Sequence, residues 1–250
     1  MAGEIAVEGL DPVTRTTAIP ERSAPEPISA PSAARLTGLA GLASFVLIIV
    51  AAFVAPPLWN APGTMATAAR VTAYAQNYGG RLIASLLIYS LAIGLFLSFA
   101  AGLWAWLRER ERPTQALSAL FALGAVALAI LILAAFVPGY MLSYRSQPAT
   151  IAGPLADLTF GLLALSGIPT AICLGAYAAL VMRLRCLPAW TAWLATCGAL
   201  THILIAASFV SHGAFLSLEG SVIIWVPATF FAWILATSAA LLLRTQPEVR

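Results

Sequence analysis

The chain has 250 residues, of which 61% are hydrophobic and only 9% charged, with 13 basic and 10 acidic side chains. Soluble domains carry about 25% charged residues, so this composition excludes a soluble enzyme, a nucleic-acid-binding protein and a fibrous protein. All of the basic residues are arginine, and six stretches between charges each exceed the ~20 apolar residues that cross a bilayer core. The sequence therefore predicts a polytopic membrane protein.

The first 34 residues differ from the rest, because they contain five prolines, five acidic residues and two arginines. Such a segment has too little apolar surface to offset the entropy lost on ordering. It also lacks the basic-then-apolar order of a cleavable signal peptide. We expect residues 1–34 to be a disordered cytoplasmic tail and residues 245–250 to be a cytoplasmic C-terminus.

Residues 35–244 are predicted to form one all-α domain, a polytopic membrane bundle of six transmembrane helices. Within hydrocarbon, backbone polar groups must be satisfied inside the segment, and continuous Ala- and Leu-rich runs achieve this as helices. The predicted spans are 37–55, 82–107, 114–137, 155–182, 189–210 and 220–243. Trp233 lies near the middle of the last span and is expected to pack inside the bundle.

The first loop, residues 55–80, is the longest between spans. Thr64 can cap a short helix that reaches about Asn77, and Gly79 and Gly80 are expected to end it. Apolar residues alternate there with Arg70 and polar side chains, which favours a short amphipathic helix at the membrane interface. Such a helix could cover a cavity in the bundle or serve as a simple connector.

Orientation follows from the distribution of arginine, which is enriched on the cytoplasmic side. With six spans, ten arginines share a side with both termini and three lie opposite. The prediction is a multi-pass protein of the plasma membrane with both termini in the cytoplasm. The three opposite arginines are Arg70, Arg81 and Arg145.

Ionisable groups at membrane depth are costly and mark candidate functional sites. Here they gather toward the outer half of the membrane, and the candidate polar cluster is Asp157, Arg81, Arg145, His202, His212 and Glu219. Asp157 is the most specific member, because a carboxylate facing the bundle needs a cation such as Arg81 or Arg145. It could bind a cationic ligand or a proton, or could be a helix N-terminal acid that serves packing.

A metal site, a haem site and a catalytic site are not predicted. His202 and His212 are ten residues apart, about 15 Å along a helix, so they cannot hold one ion on a continuous helix. Ser166 and His202 lie at comparable depth but lack the motif of an intramembrane serine protease. No cofactor is expected, and the three cysteines form no C-x-x-C pair.

Small residues in the fourth span recur at every fourth position, which favours a helix-packing seam. The seam consists of Gly167, Ala171, Gly175 and Ala179. Pro169 is expected to bend this helix and free a nearby carbonyl.

Several runs after residue 35 carry a family resemblance. They are residues 155–160 (LADLTF), 167–171 (GIPTA), 187–193 (LPAWTAW) and 230–235 (FFAWIL). With these runs the chain resembles a family of bacterial, mostly actinobacterial, six-span membrane proteins of unknown function. The resemblance implies the six-helix architecture and no particular activity or ligand.

Three classes of function follow from the sequence. The first is a non-catalytic integral membrane protein that binds a lipid or small apolar ligand or acts as an accessory subunit of a membrane protein partner. The alternative is a small-molecule transporter with an outward-facing polar cavity around Asp157. A membrane-embedded enzyme is third, because no nucleophile and base can be assembled. Expected partners are the lipid bilayer and such a ligand or subunit, without nucleic acid; the oligomeric state is left open.

Overall fold

The computed structural model describes residues 30–57, 62, 66–111, 116–145, 147–210 and 222–244. Within these ranges the chain is helical and contains no strand, which confirms the all-α class. Residues 30–34, predicted as part of the tail, already belong to the first helix, and the remaining tail residues lie outside the described ranges. The elements are α1 (Ala30–Val54), α2 (Ala68–Arg108), α3 (Ala116–Tyr144), α4 (Ala149–Leu165), α5 (Gly167–Leu184), α6 (Ala189–Ala206), a 3-10 turn (Ala207–Val210) and α7 (Val222–Arg244).

Six units are long and apolar enough to cross a membrane. They are α1, α2, α3, α4 joined to α5, α6 with its 3-10 turn, and α7, and they follow the order of the six predicted spans. The chain is therefore a multi-pass integral membrane protein. Successive spans are neighbours and α7 also packs on α1, so the helices form a closed bundle.

The bundle has two ends, which we name after residues that lie there. The Glu111 end carries the α2–α3 and α5–α6 connections, the start of α1 and the end of α7. These two helix ends meet, since a Cβ atom on Gly38 of α1 would lie 2.8 Å from Cγ of Leu242 on α7. The Arg145 end carries the α1–α2 and α3–α4 connections.

The second helix is twice as long as a membrane crossing requires. Its 41 residues span about 60 Å, whereas a bilayer core is about 30 Å thick. The prediction of a separate short helix ended by Gly79 and Gly80 is wrong, because α2 continues through both glycines. Gly79 instead allows a close approach, since a Cβ atom there would lie 3.1 Å from the carbonyl oxygen of Ser143. Thr67 caps α2 by accepting a hydrogen bond from the backbone N–H of Arg70.

The fourth span is interrupted at Ser166, where α4 ends and α5 begins. Pro169 lacks an N–H and cannot bond to the carbonyl of Leu165, which weakens the helix at this turn. Ser166 Oγ donates to the carbonyl of Leu163 at 2.6 Å, and Thr170 Oγ1 donates to the carbonyl of Ser166 at 2.7 Å. This interruption lies three residues before Pro169, next to the position where the sequence predicts a bend.

Large aromatic side chains fill the interior of the bundle. Their ring centroids are 5.1–6.4 Å apart, and most pairs are tilted or edge-to-face, an arrangement that aromatic rings prefer. Trp233 lies at the centre and is fully buried, as the sequence predicts. This aromatic core consists of Phe96, Phe99, Phe121, Tyr177, Phe230 and Trp233.

Of the predicted small-residue seam of α5, Gly167 packs closely on another helix of the chain, α6. A Cβ atom there would collide with the carbonyl oxygen of His202 on α6. A Cβ atom on Gly175, in contrast, would have no neighbour within 4 Å, and Ala179 is exposed. At these two positions the seam contacts no other helix of the described chain, because α5 turns its large side chains toward the core.

Candidate functional site

A cleft of about 220 Å³ opens at the Arg145 end, where the first turns of α2 meet the end of α3 and the start of α4. A small apolar cluster of Val71, Ala152 and Ala156 holds these extensions together. Polar residues and glycines form most of the remaining wall. The full lining of this Arg145 cleft is Thr72, Ala75, Gln76, Gly79, Gly80, Leu142, Ser143, Arg145, Gln147 and Ala152.

Arg145 is the only charged residue in this lining. Its guanidinium carbon lies 5.7 Å from the ring centroid of Tyr144, a cation–π contact that restrains the side chain. Gln147 Nε2 donates to the carbonyl of Met141 at 3.1 Å and so closes the turn that carries Arg145. The lining holds no carboxylate and no histidine, so Arg145 gives it a net positive charge.

The depth of the cleft follows from the length of α2. Gly80 precedes Trp106 by 26 residues, a helical distance of about 39 Å, or about 37 Å along the membrane normal for a tilt of about 20°. Trp106 and Trp104 lie near the Glu111 end, and tryptophans favour the membrane interface. A bilayer core is about 30 Å thick and about 40–45 Å with its headgroups. With Trp106 at one interface, these lengths would put the cleft at the depth of the opposite headgroups.

Among the residues of the predicted polar cluster, Arg145 lines the cleft and Arg81 does not. Arg81 Nε donates to the carbonyl of Val54 and its Nη2 to the carbonyl of Ala55, both at 2.9 Å. The guanidinium thus caps the C-terminus of α1, where a cation also complements the helix dipole. Asp157 has an exposed side chain on α4 and pairs with neither arginine.

The histidine and glutamate members of the cluster are distributed differently. His202 is 5% exposed, and its Nδ1 lies 2.8 Å from the carbonyl oxygen of Gly198. Because a carbonyl can only accept, Nδ1 carries the proton, and the ring packs 6.0 Å from that of Phe230. His212 and Glu219 lie outside the described residues. In the described part of the chain, the predicted cluster does not form one site.

Ser166 and His202 are close in space through Gly167, yet their side chains are turned to different partners. Each bonds to a backbone carbonyl on its own helix, Ser166 to Leu163 and His202 to Gly198. No hydrogen bond joins the two side chains. In the ranges that the structure covers, no three His, Cys, Asp or Glu side chains are grouped so as to hold a metal ion.

At the opposite end, Glu111 is a buried carboxylate that was not among the residues predicted from the sequence. It is 1% exposed and accepts hydrogen bonds from the backbone N–H groups of Leu117 and Ser118, both at 2.8 Å. Burial alone would raise the pKa of Glu111, but the bonds from Ser118 and Leu117 and the nearby charge of Arg183 outweigh it and lower the pKa. Glu111 therefore caps the N-terminus of α3 as an anion.

Sequence reasoning missed Thr72, Gln76 and Gln147 in the cleft. Thr72 and Gln76 are four residues apart and so share a face of α2, followed on that face by Gly79 and Gly80. This spacing is visible in the sequence, but a helix end was predicted at the glycines. Thr72 and Gln76 were therefore assigned to a separate short helix and not to the second span. Gln147 follows Arg145 by two residues and had no periodic signal.

The fold and the cleft thus define a six-span helical membrane protein with a polar cleft at one end. A scan against protein-family models, a search of curated proteins and a search of solved structures each gave no match. The resemblance to actinobacterial six-span proteins accordingly stays a prediction.

Proposed function

We propose that this chain is a non-catalytic integral protein of the plasma membrane that binds a lipid at the Arg145 cleft. The observation that carries the proposal is a polar cleft of about 220 Å³ at the Arg145 end, which the length of α2 would put at headgroup depth with Trp106 at the opposite interface. The Arg145 end is assigned to the outer side, with both termini in the cytoplasm, because a six-span topology puts ten of the thirteen arginines of the sequence on the side of the termini.

The size of the cleft supports a lipid headgroup as the bound part. Pockets that enclose a whole small molecule usually measure about 300–1,000 Å³, and this cleft measures about 220 Å³. A headgroup fits such a volume while its acyl chains stay in the membrane. Exposed apolar side chains of α3, Val137 and Met141, lie between the cleft and the middle of the span and can face those chains.

A carrier is the weaker hypothesis. A solute that crossed the bundle would have to pass the aromatic core, where Phe96, Phe99, Phe121 and Trp233 are each fully buried. Asp157, the residue on which the transporter hypothesis depends, does not line the Arg145 cleft. These features favour a binding or accessory role for the protein.

The test uses two glycines of α2 at which an added Cβ atom would have open space around it. A Cβ atom on Gly80 or on Gly94 would have no neighbour within 4 Å, but only Gly80 lines the cleft. Gly80→Phe should therefore fill the cleft without disturbing the fold, and Gly94→Phe is the matched control on the same helix.

Native mass spectrometry of gently extracted protein measures the retained lipid. We expect the wild type and Gly94→Phe to keep a defined lipid adduct that Gly80→Phe loses. A wild type without any retained lipid, or equal retention in Gly80→Phe, would overturn the proposal.

A further inference from the structure

We infer that the lipid held in the Arg145 cleft is an anionic glycerophospholipid, and that Arg145 contacts its phosphate group. This inference rests on the proposed function and adds the charge and chemistry of the ligand. It follows from the charge of the cleft, the shape of its donor groups and its depth.

Arg145 is the one formal charge in the lining, and the nearest acid along α4, Asp157, is not part of the cleft. No carboxylate among the described residues forms an ion pair with Arg145. A cation beside apolar walls and lipid is screened less than one in bulk water, so an anion gains more by binding there.

The donor chemistry selects an oxyanion. The guanidinium group presents N–H donors in a planar fork that matches a phosphate or a carboxylate in two parallel hydrogen bonds. Ser143 also lines the cleft, and its hydroxyl group can donate to a remaining oxygen. Gln147 holds the turn through Met141, which fixes the position from which Arg145 reaches the cleft.

The depth of the cleft favours a phospholipid over a soluble anion. Gly80 lies about 37–39 Å from Trp106, within the layer where lipid phosphates lie. A phosphate bound there keeps its acyl chains in hydrocarbon, whereas a soluble anion would have to enter from water. A lipid with net negative charge is preferred over a zwitterionic one, because the cleft offers no anion to a choline group.

The experiment compares lipids and variants in one measurement. Protein is reconstituted with equal amounts of phosphatidylglycerol and phosphatidylcholine, and the retained lipids are counted by native mass spectrometry. The variants are Arg145→Gln, Arg145→Lys and the control Arg70→Gln, which removes an exposed arginine of α2 outside the cleft. Thermal unfolding checks that the variants fold.

We expect the wild type and Arg70→Gln to retain phosphatidylglycerol about tenfold over phosphatidylcholine. Arg145→Gln should retain lipid without preference, and Arg145→Lys should keep part of the preference, since lysine keeps the charge and loses the fork. Two results would overturn the inference and leave the proposed function intact. In both, the wild type retains lipid that Gly80→Phe loses. Either this lipid shows no headgroup preference, or the preference is unchanged in Arg145→Gln.

Two further outcomes are separable. If inorganic phosphate added to lipid-depleted protein in detergent binds in an Arg145-dependent way and lipid does not, the cleft is a site for a soluble anion and the inference is wrong. If the wild type retains no lipid in any preparation, the proposed function fails and the inference fails with it.

Discussion

Replacing Gly167 by alanine should destabilise the protein, whereas the same change at Gly175, eight residues along the same helix, should not. At Gly167 the new methyl group would collide with the carbonyl oxygen of His202 and lie 3.2 Å from the backbone nitrogen of Ala206. Both are backbone atoms of α6 and cannot rotate away. At Gly175 the methyl group would meet no atom within 4 Å.

The magnitude follows from two opposing effects. Alanine is a better helix former than glycine by about 0.5–1 kcal/mol, and this gain is common to both variants. Overpacking against fixed neighbours costs about 1–3 kcal/mol, and it applies only at Gly167. Since a change of 1 kcal/mol moves the melting temperature of a chain this size by about 2–4 °C, the two variants should differ by roughly 2–12 °C.

Near-ultraviolet circular dichroism of the aromatic core gives the assay, with all proteins in one detergent and heated at one scan rate. Gly124→Ala provides an independent check, because its methyl group would lie 2.8 Å from the backbone nitrogen of Cys173. Equal melting temperatures for Gly167→Ala and Gly175→Ala would refute the close packing of α5 on α6 described above.

Three further predictions concern polar contacts. Glu111→Gln should lower the free energy of unfolding by roughly 0.5–2 kcal/mol at neutral pH. Because the folded-state pKa of Glu111 is lowered, the wild type should lose this stabilisation as the pH falls below the ordinary glutamate pKa of 4.5. A stability difference between the two proteins that stays constant down to pH 3 would contradict this. Arg81→Gln should cost about 1 kcal/mol in thermal stability by uncapping α1, and Arg70→Gln, which caps no helix C-terminus, should cost less. Tyr177→Phe should cost about 0.5–2 kcal/mol, since the hydroxyl bonds at 3.0 Å to Thr191; an unchanged melting temperature would mean that this bond contributes nothing.

The sequence predicted the number and order of the spans because charges are excluded from hydrocarbon. The predicted limits of the fifth span, residues 189–210, agree with α6 and its 3-10 turn. The limits failed where helices continue beyond the bilayer core, as at the start of α2. Charge and hydropathy indicate where the hydrocarbon layer ends, but a helix can continue past that point. For this reason Gly79 and Gly80 were wrongly interpreted as the end of a helix.

Glycines were also the least predictable packing residues. Gly167 and Gly175 are equivalent by spacing along α5, yet only the first approaches a neighbouring backbone. Which face of a uniformly apolar helix turns inward depends on where its large side chains find room. For α5 this is set by Tyr177, which packs on Trp233 of a helix far away in sequence.

The candidate site shows the same division between local and long-range information. Arg145 was identified because it is one of only three arginines on the side opposite the termini, which can be read from the sequence. Its neighbours in the cleft come from α2, the end of α3 and the start of α4, and α2 and α4 pack on one another there through Val71, Ala152 and Ala156. The predicted helix boundary at Gly79 and Gly80 was wrong because α2 continues through both residues. This continuous helix is also what brings the α2 residues of the cleft beside Arg145.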